Sequence, residues 1–226
     1  MSRVTGIVKT HLTDRLSWLM LPWIILGSSF AVNVIIGSLI DEEIKTGGLA
    51  SIFIYMMVIG IVSVGQTYPF LISFGARRKD YFLGTSATIA LVSVGTAIAL
   101  LLVGYVERAT DYWGIGLHFF NVPYLTDGSL LSQFWIFFII MMNLFFCGFA
   151  IGAVYRKVGR NGLFGVFIVL GLALTVAFYL ITYFDKWGQV LDWVVGISVL
   201  ELANGLLVLT LVYVAASYGL LRKATA

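Results

Sequence analysis

The side chains able to do chemistry are few. The sequence holds two histidines, His11 and His118, and a single cysteine, Cys147, in a chain that is 60% hydrophobic. Nucleophilic catalysis needs a serine or cysteine beside a general base, and neither histidine can be paired with a serine of an apolar run. A metal centre needs His, Cys, Asp or Glu recurring at ligand spacing within a helix, and no such pair is present. Asp41, Glu42 and Glu43 could hold a cation, but a solvated turn is the simpler account. None of the 24 glycines is followed by lysine, which leaves no Walker-type loop for ATP. Cys147 lies inside an apolar run and has no partner for an intrachain disulfide. The expectation is a chain with no catalytic residue, metal or cofactor of its own.

The remaining candidates are neutral polar residues set in apolar surroundings, where an unpaired polar group is costly. Asn33, Gln66, Asn143 and Asn204 stand out, with Thr67 beside Gln66. They either bond one helix to another or line a passage. None is charged, which gives no support to a proton or sodium relay and counts against ion-driven transport. Gly148 and Gly152 form a small-xxx-small face suited to close helix contact. Pro69 should kink the helix that carries it.

Apolar runs must position these residues. With 11% charged residues and a mean hydropathy of +1.00, soluble classes are excluded. A hydrocarbon core of about 30 Å takes about 20 residues of helix, and six runs qualify: Leu16 to Ile40, Leu49 to Phe74, Phe82 to Val106, Gln133 to Tyr155, Gly162 to Phe184 and Val199 to Leu221. These runs are apolar on every side and lack the alternation of barrel strands. The reading is an all-α membrane protein, a bundle of six transmembrane helices forming one domain over residues 1–226. The first run is too long for the core of a signal peptide.

Charge orients the bundle. Of 14 cations, 11 fall on the two tails and the alternate turns around 77–79 and 156–160, while Lys45, Arg108 and Lys186 fall on the other side. Nine of the 11 acids share that other side. The positive-inside rule then puts both termini in the cytoplasm. The net charge of +3 and pI near 9.0 are therefore topology signals and not a nucleic-acid surface. Val4, Ile7, Val8 and Leu12 recur at helical spacing in the opening segment, which predicts an amphipathic helix over 1–15 lying at the lipid interface. The outer loop Glu107 to Leu131, with Gly114, Gly116, Pro123 and Gly128, reads as a lid or rim. Lys186 to Leu202 reads as a segment dipping into the outer leaflet.

Residues 73–85 read SFGARRKDYFLGT, three consecutive cations between two apolar runs. Each would cost about 2.5 to 3.5 kcal/mol at the bilayer centre, which places the stretch outside the lipid as the first cytoplasmic hairpin. The phrase formed by Phe74, Gly75, Arg77, Arg78, Tyr81 and Gly84, with the whole-chain layout, resembles the permease subunits of bacterial type-2 ATP-binding-cassette (ABC) transporters. That resemblance implies a hairpin that docks into a separate cytoplasmic ATPase, with Gly75, Arg77, Arg78, Asp80 and Tyr81 as the coupling surface. It also implies two such ATPase subunits, which bind ATP and Mg, and a second permease subunit, identical or related, in a bacterial plasma membrane. The expected activity is export of an amphipathic or hydrophobic cargo such as a peptide, antibiotic or lipid. The loop between the third and fourth runs is longer than the family pattern. The alternative from another class is a non-transporting immunity or sensory protein. A membrane-embedded enzyme would require an essential His118.

Overall fold

The computed structural model describes residues 3–40, 42–123, 125–126 and 128–222. Seven helices carry the chain: α1 (Arg3–Thr13), α2 (Leu16–Gly37), α3 (Ala50–Ser73), α4 (Arg78–Ala109), α5 (Leu130–Tyr183), α6 (Trp187–Gly196) and α7 (Val199–Arg222). Two short strands, β1 (Ile44–Lys45) and β2 (Leu117–His118), pair in parallel. Five of the helices, α2, α3, α4, α5 and α7, are long and apolar enough to cross a membrane. The chain is thus an all-α protein of membrane-embedded character.

Six apolar runs give five such helices because the fourth and fifth are joined. Helix α5 covers 54 residues in two helical parts that meet at a kink. It is interrupted at Gly159, with φ 71° and ψ −176°, a backbone conformation that is essentially reserved for glycine.

Packing centres on α3 and the first part of α5. Their backbones approach so closely that a Cβ on Gly60 would strike the carbonyl of Phe145, and one on Gly148 the carbonyl of Met57. A Cβ on Gly152 would meet the Val64 side chain at 2.9 Å. Small residues provide the contact that hydrophobicity cannot drive in lipid, where exposed apolar side chains are already well solvated. Helix α7 lies on α5 through Ala203, Thr210 and Ser217, all buried at seven-residue spacing. Its start is fastened by a reciprocal cap: Ser198 N–H donates to Glu201, and Glu201 N–H to the Ser198 hydroxyl. The second part of α5 and all of α6 leave their apolar side chains exposed. Helix α6, ten residues long, is too short to cross.

A π-helical turn precedes each of the two prolines inside spans. Residues Ser63–Thr67 widen the helix before Pro69, and Leu16–Met20 do so before Pro22. In the latter, Leu21 N–H reaches back to the Leu16 carbonyl, and Pro22 has no N–H to offer Ser17. The Tyr55 hydroxyl fills that place, donating to the Ser17 carbonyl at 2.7 Å. Lipid offers no water to do this.

Candidate functional site

The hairpin between α3 and α4 is built from four residues. Helix α3 ends in a double turn in which Gly75 N–H donates to the Ile72 carbonyl and Ala76 N–H to that of Leu71. This arrangement requires a left-handed residue, and Gly75 supplies it at φ 83°. Arg77 is extended and precedes the first turn of α4. Asp80 sits in that first turn, where its carboxylate complements the helix dipole. Phe74, Gly75, Arg77 and Lys79 are exposed, while Arg78 and Asp80 are half-buried. Arg78 donates through Nη1 to the Arg222 carbonyl at 2.8 Å, so the end of α7 lies against the hairpin.

Tyr81 is not on this surface. It is fully buried, and its hydroxyl donates to the Ser63 carbonyl at 2.7 Å, in the π-helical turn of α3. Its ring meets Tyr68 edge-on at 5.1 Å. The expected docking role is therefore corrected: Tyr81 roots the hairpin inside the bundle. The spacing that puts Arg77 and Tyr81 one turn apart could not say that the hydroxyl has a partner 18 residues back. Phe74, 75% exposed, and Lys79 are surface residues outside the expected coupling set.

Helix α1 does not lie free at the interface. Its Ile7 and His11 are buried against α4, and a Cβ on Gly84 would meet Ile7 at 2.7 Å. His11 Nε2 hydrogen-bonds the Thr85 hydroxyl at 2.9 Å, and the imidazole packs on Trp18 at 4.7 Å. Burial pushes the His11 pKa down to about 4, against a smaller upward pull from Asp14. The folded state therefore disfavours the proton that the released helix accepts near 6.5. Stability from this contact is complete above about pH 6.5 and is lost as pH falls toward 4, to an extent of about 3 kcal/mol. Thermal melting across that range should show the loss in the wild type and a flatter profile in His11→Asn. Equal profiles would remove His11 from the account.

The four candidate passage residues do not converge. Asn33 donates to the Ser29 carbonyl of its own helix at 2.8 Å. Asn143 donates to the Leu206 carbonyl and the Thr210 hydroxyl, and Asn204 accepts from Trp135 Nε1 at 3.1 Å. These last two join α5 to α7, which is the interhelical reading. Gln66 borders a cavity of about 340 Å³ with His11, Asp14, Trp18 and Thr67.

At the opposite end of α4 the long loop folds into a cap around one residue that sequence reasoning placed in solvent. Glu107 is fully buried, and among the described residues no cation pairs with it. Its carboxylate accepts from the backbone N–H groups of Phe119, Phe120 and Asn121 at 3.3, 2.8 and 2.9 Å. Trp113 Nε1 at 3.2 Å and Asn121 Nδ2 at 3.1 Å complete the shell. Asp111, Tyr112 and Trp113 run left-handed before Gly114, which costs about 1–2 kcal/mol per residue. The Glu107 shell and the contact of Trp113 with Phe30 at 5.0 Å oppose that cost. The strand pair ties the cap to the α2–α3 connection, with Ile44 N–H on the Gly116 carbonyl and Thr46 N–H on that of His118. The signal available beforehand was a glutamate followed within 14 residues by a glycine- and aromatic-rich loop, which does not specify the partner groups.

Among the described residues no group of three metal-ligating side chains occurs. No family model, no curated protein and no solved structure matches the chain.

Proposed function

We propose that this chain is the membrane subunit of an ATP-driven exporter of the ABC type, powered by separate cytoplasmic ATPase subunits. In this reading α5 supplies two crossings, one on each side of Gly159. The bundle then has six spans with both ends in the cytoplasm of a bacterial cell. A second permease subunit completes the pathway, and the cargo is amphipathic or hydrophobic. One observation carries the reading: a four-residue hairpin with an exposed aromatic and two exposed cations is rigidly rooted in two long helices. Tyr81 ties it to the π-helical turn of α3, and α1 braces the other face of α4. A push at Phe74, Arg77 or Lys79 would move α3 and α4 together, which is what coupling to an outside motor requires.

The test is copurification with the ATPase encoded beside the gene, in detergent, for Phe74→Ser, Arg77→Ala and Lys79→Ala combined. The expected result is a loss of ATPase binding of about tenfold or more with the bundle still folded. Tyr81→Phe should behave differently: binding is retained, but cargo-stimulated ATP hydrolysis falls because the root is loosened. Undiminished ATPase binding by the triple variant, or no copurifying ATPase at all, overturns the reading.

A further inference from the structure

A groove of about 540 Å³ opens between α3 and α5 at the end of the bundle that carries the hairpin. This volume is in the range of about 300–1,000 Å³ usual for small-ligand sites. Ile61, Val64, Ile151 and Leu163 make its walls apolar, and Arg156 and Tyr155 stand at its polar end. Two glycines shape it. Gly159 breaks α5 beside the groove, and the site of a Cβ on Gly65 has no atom within 4 Å, which leaves the floor open.

Arg156 is the unusual member. It is half-buried, and its guanidinium carbon lies 4.9 Å over the Tyr68 ring. Its Nε is enclosed and makes no hydrogen bond. Among the described residues the one ion pair is His118 with Glu43, so Arg156 has no carboxylate. Arginine stays charged at any relevant pH and presents five donors, and an enclosed donor without an acceptor costs about 1–3 kcal/mol. The groove thus joins apolar walls to a guanidinium that no carboxylate neutralises.

We propose that this groove is a binding site for an anionic phospholipid, with an acyl chain along Ile61, Val64, Ile151 and Leu163 and the phosphate on Arg156. Phosphate meets the guanidinium fork in geometry and charge. A neutral lipid would fill the apolar walls but leave Arg156 unanswered. The inference rests on the membrane-embedded character of the chain alone, so it stands or fails apart from the ATPase partnership.

Native mass spectrometry of the detergent-purified chain tests it, after loading with mixed micelles of phosphatidylglycerol or phosphatidylcholine of identical chains. The wild type should retain phosphatidylglycerol at least about tenfold more strongly than phosphatidylcholine. Arg156→Gln should abolish that preference. Gly65→Leu, whose Cβ would have no atom within 4 Å, should lower retention of both lipids. Lys157→Gln, outside the lining, should leave retention near wild type, and inorganic phosphate should fail to displace the lipid. Equal retention of the two lipids by the wild type overturns the proposal, as does wild-type retention by a folded Arg156→Gln or Gly65→Leu. So does a loss in Lys157→Gln equal to that in Arg156→Gln, which would reduce the effect to general surface charge. Displacement by phosphate alone would overturn the acyl-chain component and with it the site as proposed.

Discussion

Gly148→Leu should separate α3 from α5 and cost about 3 kcal/mol or more. A Cβ at this position lands on the Met57 carbonyl oxygen, a backbone atom that no rotamer change can move. The leucine must therefore push a whole helix away. Overpacking a tight core costs about 1–3 kcal/mol where side chains can adjust, and here they cannot. The same shift would loosen Gly60 against Phe145 and Gly152 against Val64, the other two close approaches of these helices. It would also move the groove that Ile61, Val64 and Ile151 line. The measurement is the thermal midpoint in detergent, with Gly171→Ala as control, since a Cβ there has open space. That control should be neutral or slightly stabilising, because alanine favours helix over glycine by about 1 kcal/mol. A Gly148→Leu variant that melts with the wild type would mean that the two helices do not meet as described.

The second large effect belongs to Glu107. Five N–H groups converge on its carboxylate, three of them from consecutive backbone amides of the cap. Hydrogen bonds to a charged acceptor contribute about 1.5–3 kcal/mol each, and stranded buried donors cost about 1–3 kcal/mol. Glu107→Ala removes the acceptor from all five at once and should release the cap over residues 110–122. The loss is then limited by the cost of undocking the segment, about 3 kcal/mol or more. Glu107→Gln is sharper as a test of charge, since it keeps the size and one oxygen but turns an amino group toward donors. It should be destabilised by about 1–3 kcal/mol. Limited proteolysis of sealed vesicles reads the cap directly: cleavage within 111–122 should be slow in the wild type and fast in Glu107→Ala. Unchanged cleavage in both variants would show that the strand pair at Ile44 and Leu117 holds the cap without the carboxylate.

The hairpin and the cap sit at opposite ends of α4, and they differ in how they are built. The hairpin is local: Gly75 closes α3, and Arg77 leads into α4 within four residues. The cap is made by groups 12 to 14 residues from Glu107 and by the α2–α3 connection. A signal passing from one to the other would travel along α4, whose first turn is rooted by Tyr81 and whose last by Glu107.

Composition and local pattern determined a good deal of this protein by themselves. Runs of apolar residues long enough to satisfy their own backbone in lipid dictate helices, and the boundaries of α3, α4 and α7 fall within a few residues of those runs. The helical spacing of Val4, Ile7 and Val8, the glycine at position 75 and the Gly148–Gly152 pair each encode a local or one-face property, and each was legible for that reason. The tertiary structure alone decided where polar groups find partners. It buried Tyr81 against Ser63, put His11 on Thr85, joined Asn143 to Thr210, and drew five donors onto Glu107. In lipid nearly every residue of a span is apolar, so hydropathy carries no information about which face meets which. A polar group excluded from water must find whatever partner the fold brings within 3 Å or so, and that partner can lie anywhere along the chain.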